Sequence, residues 1–233
     1  KSGLYRMPVG GDQWELITRG LPEAPAIRAI ATHPENPEIV YVGTQHGPYR
    51  STDQGAHWEK LNVADHGLPV WSLLFDPRDP NVLYAGYENC EIFRSEDGGE
   101  RWQQLPVSVR FPEITVASGA NPAKRILELA ANPANPNELY GAIEVGGIIR
   151  SLDGGEHWEN MSHGHYMNDD TVDMHGVMVG RDFPPLEKTH VRISIGTIEE
   201  MRKATEVFRN VLKMETTPPV EKKSGRHEEA AWR

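Results

Sequence analysis

Apolar residues in this chain fall in short runs separated by Pro, Gly, Asn and Asp, and the order of the runs repeats. Residues 27–32, 70–75 and 126–131 are apolar enough to be buried strands. Each ends at a proline turn: His33-Pro34, Asp76-Pro77 and Asn132-Pro133. A second run follows each turn: Ile39-Val-Tyr-Val-Gly43, Val82-Leu-Tyr-Ala-Gly86 and Leu139-Tyr-Gly-Ala142. A third run is Pro48-Tyr-Arg50, Ile92-Phe-Arg94 or Ile148-Ile-Arg150. Each third run leads into a near-identical octapeptide: Ser51-Thr-Asp-Gln-Gly-Ala-His-Trp58, Ser95-Glu-Asp-Gly-Gly-Glu-Arg-Trp102 and Ser151-Leu-Asp-Gly-Gly-Glu-His-Trp158. A degraded copy ends in Gly11-Asp-Gln-Trp14. Trp14, Trp58 and Trp102 stand 44 residues apart, and Trp158 follows after 56. The extra length falls in residues 107–124, a loop rich in Pro, Ser, Asn and Ala.

The octapeptide has a mechanical reading. Ser and Asp side chains can bond nearby backbone N–H groups and hold a tight turn. Gly55, Gly99 and Gly155 suit a positive φ. The Trp then opens a fourth strand as a large apolar anchor, so Trp58, Trp102 and Trp158 are expected to be substantially buried. Four strands per repeat, A to D, at this period predict a β-propeller blade. The fold class is therefore all-β: a partial propeller of four-stranded blades over residues 1–177, too short to close a ring of the usual size alone. Residues 3–6 read as strand C and residues 14–17 as strand D of a half blade. Residues 171–179 read as another strand A, with 190–195 available as strand B.

The octapeptides resemble the Asp-box (BNR-repeat) propeller family, whose members include sialidases, sortilin-type receptors and photosystem-assembly factors. The resemblance covers residues 1–177 and implies a fold rather than an activity. A sialidase of the family would carry an Arg-Ile-Pro segment, and none is present. The box aspartates Asp53, Asp97 and Asp153 are read as structural.

Past residue 177 the repeat stops. His190-Val-Arg-Ile-Ser-Ile-Gly-Thr-Ile-Glu-Glu-Met201 and Ala204-Thr-Glu-Val-Phe-Arg-Asn-Val-Leu212 resemble the C-terminal end of a histidinol-phosphate-type aminotransferase over about residues 177–213. That resemblance places Arg192 where the family grips a substrate carboxylate. The Schiff-base lysine segment and phosphate cup have no counterpart, so neither pyridoxal phosphate nor aminotransferase activity is expected. Residues 190–195 alternate as a strand should. Thr197 with Glu200 forms a capping box for a helix over 198–213, with Ile198, Met201, Phe208, Val211 and Leu212 on one face. Residues 214–233 are polar and read as a disordered tail. The junction has the look of a gene fusion.

Composition narrows the classes of partner. The 233 residues carry a net charge of −10, which disfavours nucleic acid and anionic membranes as partners. No apolar run approaches a membrane span. The first residues hold no secretory signal, although the sequence opens on Lys rather than Met. A soluble protein of unassigned compartment is expected. Cys90 is the one cysteine, which excludes an intrachain disulfide.

In a propeller, strand A lines the channel, and the B–C and D–A loops share one face. Aligning the repeats puts Arg28, Trp71, Leu127 and His175 at equivalent strand-A positions. It brings Gln45-His46, Glu88-Asn89 and Glu144-Val145 to the B–C corners. The D–A loops add Asp65-His66 and the run His163-Gly-His165-Tyr-Met-Asn-Asp169-Asp170. His175, Asp173, Glu144, Glu88 and Arg28 are thus the candidate catalytic set. His175, Asp173, His46, His163 and His165 are candidate ligands for a divalent cation such as zinc, which could activate water. The spacing equally suits a solvated loop at 163–170, hydrated acids at the corners, and Arg28 with Trp71 as packing or a ligand platform.

Three classes of function follow: a metal-assisted hydrolase at the channel mouth, narrowly favoured; a non-catalytic binding or assembly scaffold; and a relic of a glycosidase or sugar-binding propeller. Each would take a small-molecule ligand or substrate. Half blades at both ends predict a homodimer formed by half-blade exchange.

Overall fold

The computed structural model describes residues 3–63, 67–111, 123–162 and 173–179, all within the first of two units, Lys1–Gly196. These residues form a part-propeller of three complete four-stranded antiparallel blades and a two-stranded half blade. The half blade pairs β1 (Tyr5–Arg6) with β2 (Glu15–Leu16). Blade I is β3 (Ala29–Thr32), β4 (Val40–Thr44), β5 (Gly47–Ser51) and β6 (Glu59–Lys60). Blade II is β7 (Val70–Phe75), β8 (Leu83–Tyr87), β9 (Ile92–Ser95) and β10 (Gln103–Gln104). Blade III is β11 (Ile126–Asn132), β12 (Asn135–Ile143), β13 (Gly147–Ser151) and β14 (Glu159–Asn160). Strand order is sequential in every blade, as short hairpin connections dictate.

Burial follows position in the blade. Every residue of β8 is buried, because the second strand has a neighbour on each side and a blade on each face. Outermost strands are two residues long and mostly exposed, which leaves little free edge. Two strands depart from regular pleating. Val70 pairs Tyr87 while Ser72 pairs Gly86, so Trp71 is an inserted residue. Ile126 pairs Ile143 while Glu128 pairs Ala142, which makes Leu127 its counterpart. Such bulges turn a side chain away from the face its parity would give it.

The octapeptide turns form as their composition demands. Ser51 Oγ accepts from Gly55 N at 2.7 Å and donates to Asp53 Oδ1 at 2.8 Å, and that same oxygen accepts from His57 N at 2.8 Å. Ser95, Asp97, Gly99 and Arg101 repeat the pattern at 2.9 Å throughout. Ser151, Asp153, Gly155 and His157 repeat it at 2.8 to 2.9 Å.

These turns also lock neighbouring blades. Ile17, Leu61 and Leu105, each three residues past a Trp, reach the next blade's turn. A methyl group on Gly55, Gly99 or Gly155 would stand 2.6, 3.1 or 2.5 Å from their respective Cδ1 atoms. The Trp ring of that turn closes over the same spot, and Trp58 and Trp158 are buried. Trp102 is only half-buried, short of the burial its sequence predicts. Its indole packs against the cluster of Tyr41, Leu61 and Leu83, and it lines an open, polar groove with Arg94, Glu96, Asp97 and Arg101.

A second departure lies at 173–179. That segment is not a strand. It runs beside blade III through Met174 N to Ile143 O and through Val177 N to the Glu128 carboxylate. It pairs with no strand among the described residues, and its expected partner, 190–195, lies outside them. The aminotransferase-like residues, Arg192 and the 198–213 helix lie outside the described residues, as do Asp65, His66 and residues 163–170. Among the described residues no helix is long and apolar enough to cross a membrane.

Candidate functional site at the channel mouth

Two B–C corners build the mouth, and both are made in strained backbone. Glu88 leads a short 3-10 turn, Glu88–Cys90, in which Asn89 has φ 63° and Cys90 φ 59°. Glu144 precedes Val145, whose φ is 47°. A β-branched residue in that region is costly and is held only where its surroundings over-determine it. Here the lead-in to β11 supplies the hold. Cys90 N donates to Lys124 O and Glu144 N to Arg125 O. Lys124 Nζ donates to Val145 O at 2.6 Å.

That stitching places Arg125 between the two acids. Its Nη1 donates to Glu144 Oε2 at 2.6 Å and its Nε to Glu88 Oε2 at 3.3 Å. Both carboxylates are about three-quarters shielded from solvent. Burial opposes the charge on Arg125, but hydrogen bonding and attraction to Glu144 and then Glu88 outweigh it and hold the guanidinium more firmly protonated than usual. The same guanidinium lies 4.9 Å from the ring centre of Trp71. Arg28 lies 4.0 Å from that ring centre. Arg28 is exposed and makes no ion pair among the described residues, and its side chain is held by this weak cation–π contact. Trp71 reaches the mouth because it is the bulged residue of β7. Its indole N–H is buried without a partner among the described residues.

Asp173 joins the same rim. Its Oδ1 accepts from Val145 N at 3.2 Å, and its Oδ2 lies 3.2 Å from His175 Nε2. Arg28, Glu88, Glu144, Asp173 and His175 are therefore linked to one another through shared partners. His46 is separate. It lines a cleft of about 280 Å³ between blades I and II with Gly47, Lys60, Leu68 and Tyr87. No hydrogen bond or ion pair ties its side chain to the other candidates among the described residues. His163 and His165 lie outside the described residues. Among the described residues no three His, Cys, Asp or Glu side chains gather as a metal set.

Arg125 is the organising residue that the sequence pattern did not single out. It sits just before a strand, at a position where the two preceding blades have Ala26 and Pro69. The one available signal was the pair of acids at equivalent corners, each needing a cation. Cys90, beneath the same corner, is buried, and burial pushes its thiol up to about 12 despite the nearby Lys124 charge. It is an inert packing group.

Comparison with known proteins agrees with the fold. An oligoxyloglucan-reducing end-specific xyloglucanase of Emericella nidulans is 28% identical over 182 residues, 73% of this chain and 21% of that protein. A probable enzyme of the same description from Neosartorya fischeri is 30% identical over 149 residues, 59% of this chain and 18% of that protein. The chain thus spans about a fifth of the length of these relatives. Among solved structures, an ancestral GH74 enzyme superposes with a TM-score of 0.56 at 20% identity, covering 70% of this chain and 22% of the other. At that identity the likeness speaks for the fold alone. The family described as Sortilin-Vps10 (Sortilin, neurotensin receptor 3) matches residues 3–135. That match takes in more than half of the sequence, and the chain belongs to the Sortilin-Vps10 family of β-propellers.

Proposed function

We propose that this chain is the glycan-binding part of a glycosidase-type Asp-box propeller, and that it binds a neutral β-glucan of the xyloglucan class at the channel mouth. The observation that carries this reading is Trp71, the bulged residue of β7, which stands beside Arg125 and its two acids with the exposed Arg28 over its ring. A pyranose ring has an apolar C–H face that stacks on an indole, while its hydroxyls bond to flanking charged groups. Glu88, Glu144 and Arg125 stand beside the ring to serve as those groups. The xyloglucanases named above support the choice of glycan, and a net charge of −10 favours a neutral ligand over an acidic one.

Binding rather than hydrolysis suits the geometry. Glycoside cleavage by paired carboxylates needs two acids free to reach the scissile bond. Arg125 bonds to both Glu88 and Glu144 and ties the two corners together. The test is affinity electrophoresis of the chain through gels containing tamarind-type xyloglucan, with a reducing-sugar assay alongside. Retardation that Trp71→Ala abolishes, with no sugar released, is the expected result. Unchanged mobility of the wild-type chain would refute the reading.

A second reading keeps the hydrolase. His175 and Asp173 are paired at 3.2 Å on the mouth and could contribute two ligands to a divalent cation such as zinc, with Glu144 or Glu88 as base. Elemental analysis of the purified chain separates the two readings, since a stoichiometric metal lost in His175→Ala supports only the second.

A further inference from the structure

The cleft that holds His46 lies between two complete blades, I and II, and a comparison of blade I with blade III shows why it is open. Counted from Trp58 and Trp158, Lys60 and Asn62 stand where blade III has Asn160 and Ser162. In blade III both side chains fold back on their own B–C corner. Asn160 Nδ2 donates to Gly146 O at 3.0 Å, and Ser162 Oγ accepts from Ile148 N at 2.9 Å. A methyl group on Gly147 would stand 2.6 Å from Ser162 Cβ, and one on Gly146 would stand 3.2 Å from Phe111 Cδ1. In blade I the residue matching Ile148 is Pro48, which has no N–H to give. Asn62 therefore has no backbone donor to cap. A methyl group on Gly47 would meet only Lys60 Cε among the described residues, at 3.8 Å.

What remains at this corner is a cleft of about 280 Å³ walled by donors. His46 is fixed through its backbone, its N donating to Thr44 Oγ1 at 3.0 Å while that hydroxyl donates to Gly47 O at 2.8 Å. Leu61 N donates to the neighbouring carbonyl, Pro48 O, at 3.0 Å. With both carbonyls engaged, the polar groups left over are the His46 ring, the Lys60 ammonium and the Asn62 amide. None of these three side chains makes a hydrogen bond or ion pair among the described residues. Glu59, the adjacent acid, points to the other face of its strand and bonds to Arg50 Nε at 2.8 Å. No Asp or Glu lines the cleft among the described residues. In a chain with 34 acidic and 24 basic residues, this corner reverses the prevailing charge. In physiological salt, exposed charges beyond about 8 Å are largely screened, so the local set governs what binds.

We infer that the cleft is a second binding site, separate from the mouth, for a small organic oxyanion: a molecule of one-ring size carrying a single carboxylate or phosphate. Lys60 supplies a point charge that suits either acid group. His46 and Asn62 supply directed N–H donors for the acid and for hydroxyls beside it. The volume falls just below the ~300–1,000 Å³ of drug-sized ligand pockets, which suits a single ring rather than a glycan chain. The site is independent of the reading of the mouth, since none of its three donors bonds to Arg125, Glu88 or Glu144 or stacks on Trp71 among the described residues.

Isothermal titration calorimetry of the full chain tests this, with glucuronate and inositol monophosphate as the anions and glucose and inositol as neutral controls. One-site binding of at least one anion, with no heat from the controls, is the expected result, and the anion that binds identifies the acid group. Lys60→Gln and His46→Gln should each weaken that binding at least about tenfold, while Trp71→Ala leaves it unchanged. Lys60 and His46 are exposed, and circular dichroism checks that the variants fold. Absence of binding by both anions, equal binding of the neutral controls, or wild-type affinity in Lys60→Gln overturns the inference. Loss of anion binding in Trp71→Ala would place the anion at the mouth and overturn it as well.

Discussion

Gly155→Ala measures what a blade joint contributes, with Gly154→Ala as its internal control. Both glycines have positive φ, 103° and 76°, so alanine is strained at either by about 1–2 kcal/mol. Their surroundings differ. A methyl group at Gly154 meets nothing nearer than Asn137 Oδ1 at 3.8 Å, whereas at Gly155 it stands 2.5 Å from Leu105 Cδ1. Leu105 is 4% exposed and cannot swing away without leaving the core shared with Trp158. Overpacking of that kind costs about 1–3 kcal/mol more. The expected losses are about 1–2 kcal/mol for Gly154→Ala and roughly 2–5 kcal/mol for Gly155→Ala. In a fold of this size the gap corresponds to a melting-temperature difference of roughly 2–12 °C. Urea unfolding followed by tryptophan fluorescence reads both variants. Equal losses would mean that the turn glycine is chosen for its backbone alone and that the joint contact is incidental.

Other outcomes follow from the same geometry. Trp158→Ala should cost about 3–5 kcal/mol as a core truncation, and half-buried Trp102→Ala visibly less, by urea denaturation. The turn aspartates give an acid limb to stability. Backbone hydrogen bonds from His57 and Arg101, with the side-chain bonds beside them, lower Asp53 and Asp97 from 3.8 to about 2. A depressed folded-state value stabilises the fold above the unfolded one, and that contribution is lost as pH falls from about 4 towards 2. Replacing Asp97 by Asn should lower stability at neutral pH and flatten this limb in an acid titration followed by near-UV circular dichroism. Cys90 should react with a thiol-specific disulfide reagent at mildly alkaline pH only after denaturation, because burial raises its thiol to about 12. Rapid labelling of the native chain would contradict the packing beneath the Glu88 corner.

The blade was legible in the sequence because its signals are local. Ser, Asp, Gly and Trp at fixed offsets specify a turn whose hydrogen bonds span only four residues, and alternating apolar runs fix the strands around it. The face on which Arg28, Trp71, Glu88, Glu144, Asp173 and His175 gather was legible for the same reason, since strand order places B–C corners and strand A together. What the sequence did not carry is pairing between repeats. Arg125 bonds Glu88 from the neighbouring blade, 37 residues away, and no repeat spacing announces it. The bulges that insert Trp71 and Leu127 were invisible, because a bulge changes register without changing composition. Residues 173–179 pair with no strand among the described residues, and 190–195, which the sequence offers as their partner, lie outside those residues. Half-burial of Trp102 was equally hidden, since its octapeptide matches the other two and only its surroundings differ.

Isothermal titration calorimetry with a xyloglucan oligosaccharide tests the central claim most directly, on the full chain and on Trp71→Ala. The mouth account predicts measurable one-site binding by the wild-type chain, weakened by at least about tenfold in Trp71→Ala. Equal affinity in the two proteins, or no heat in either, would contradict it.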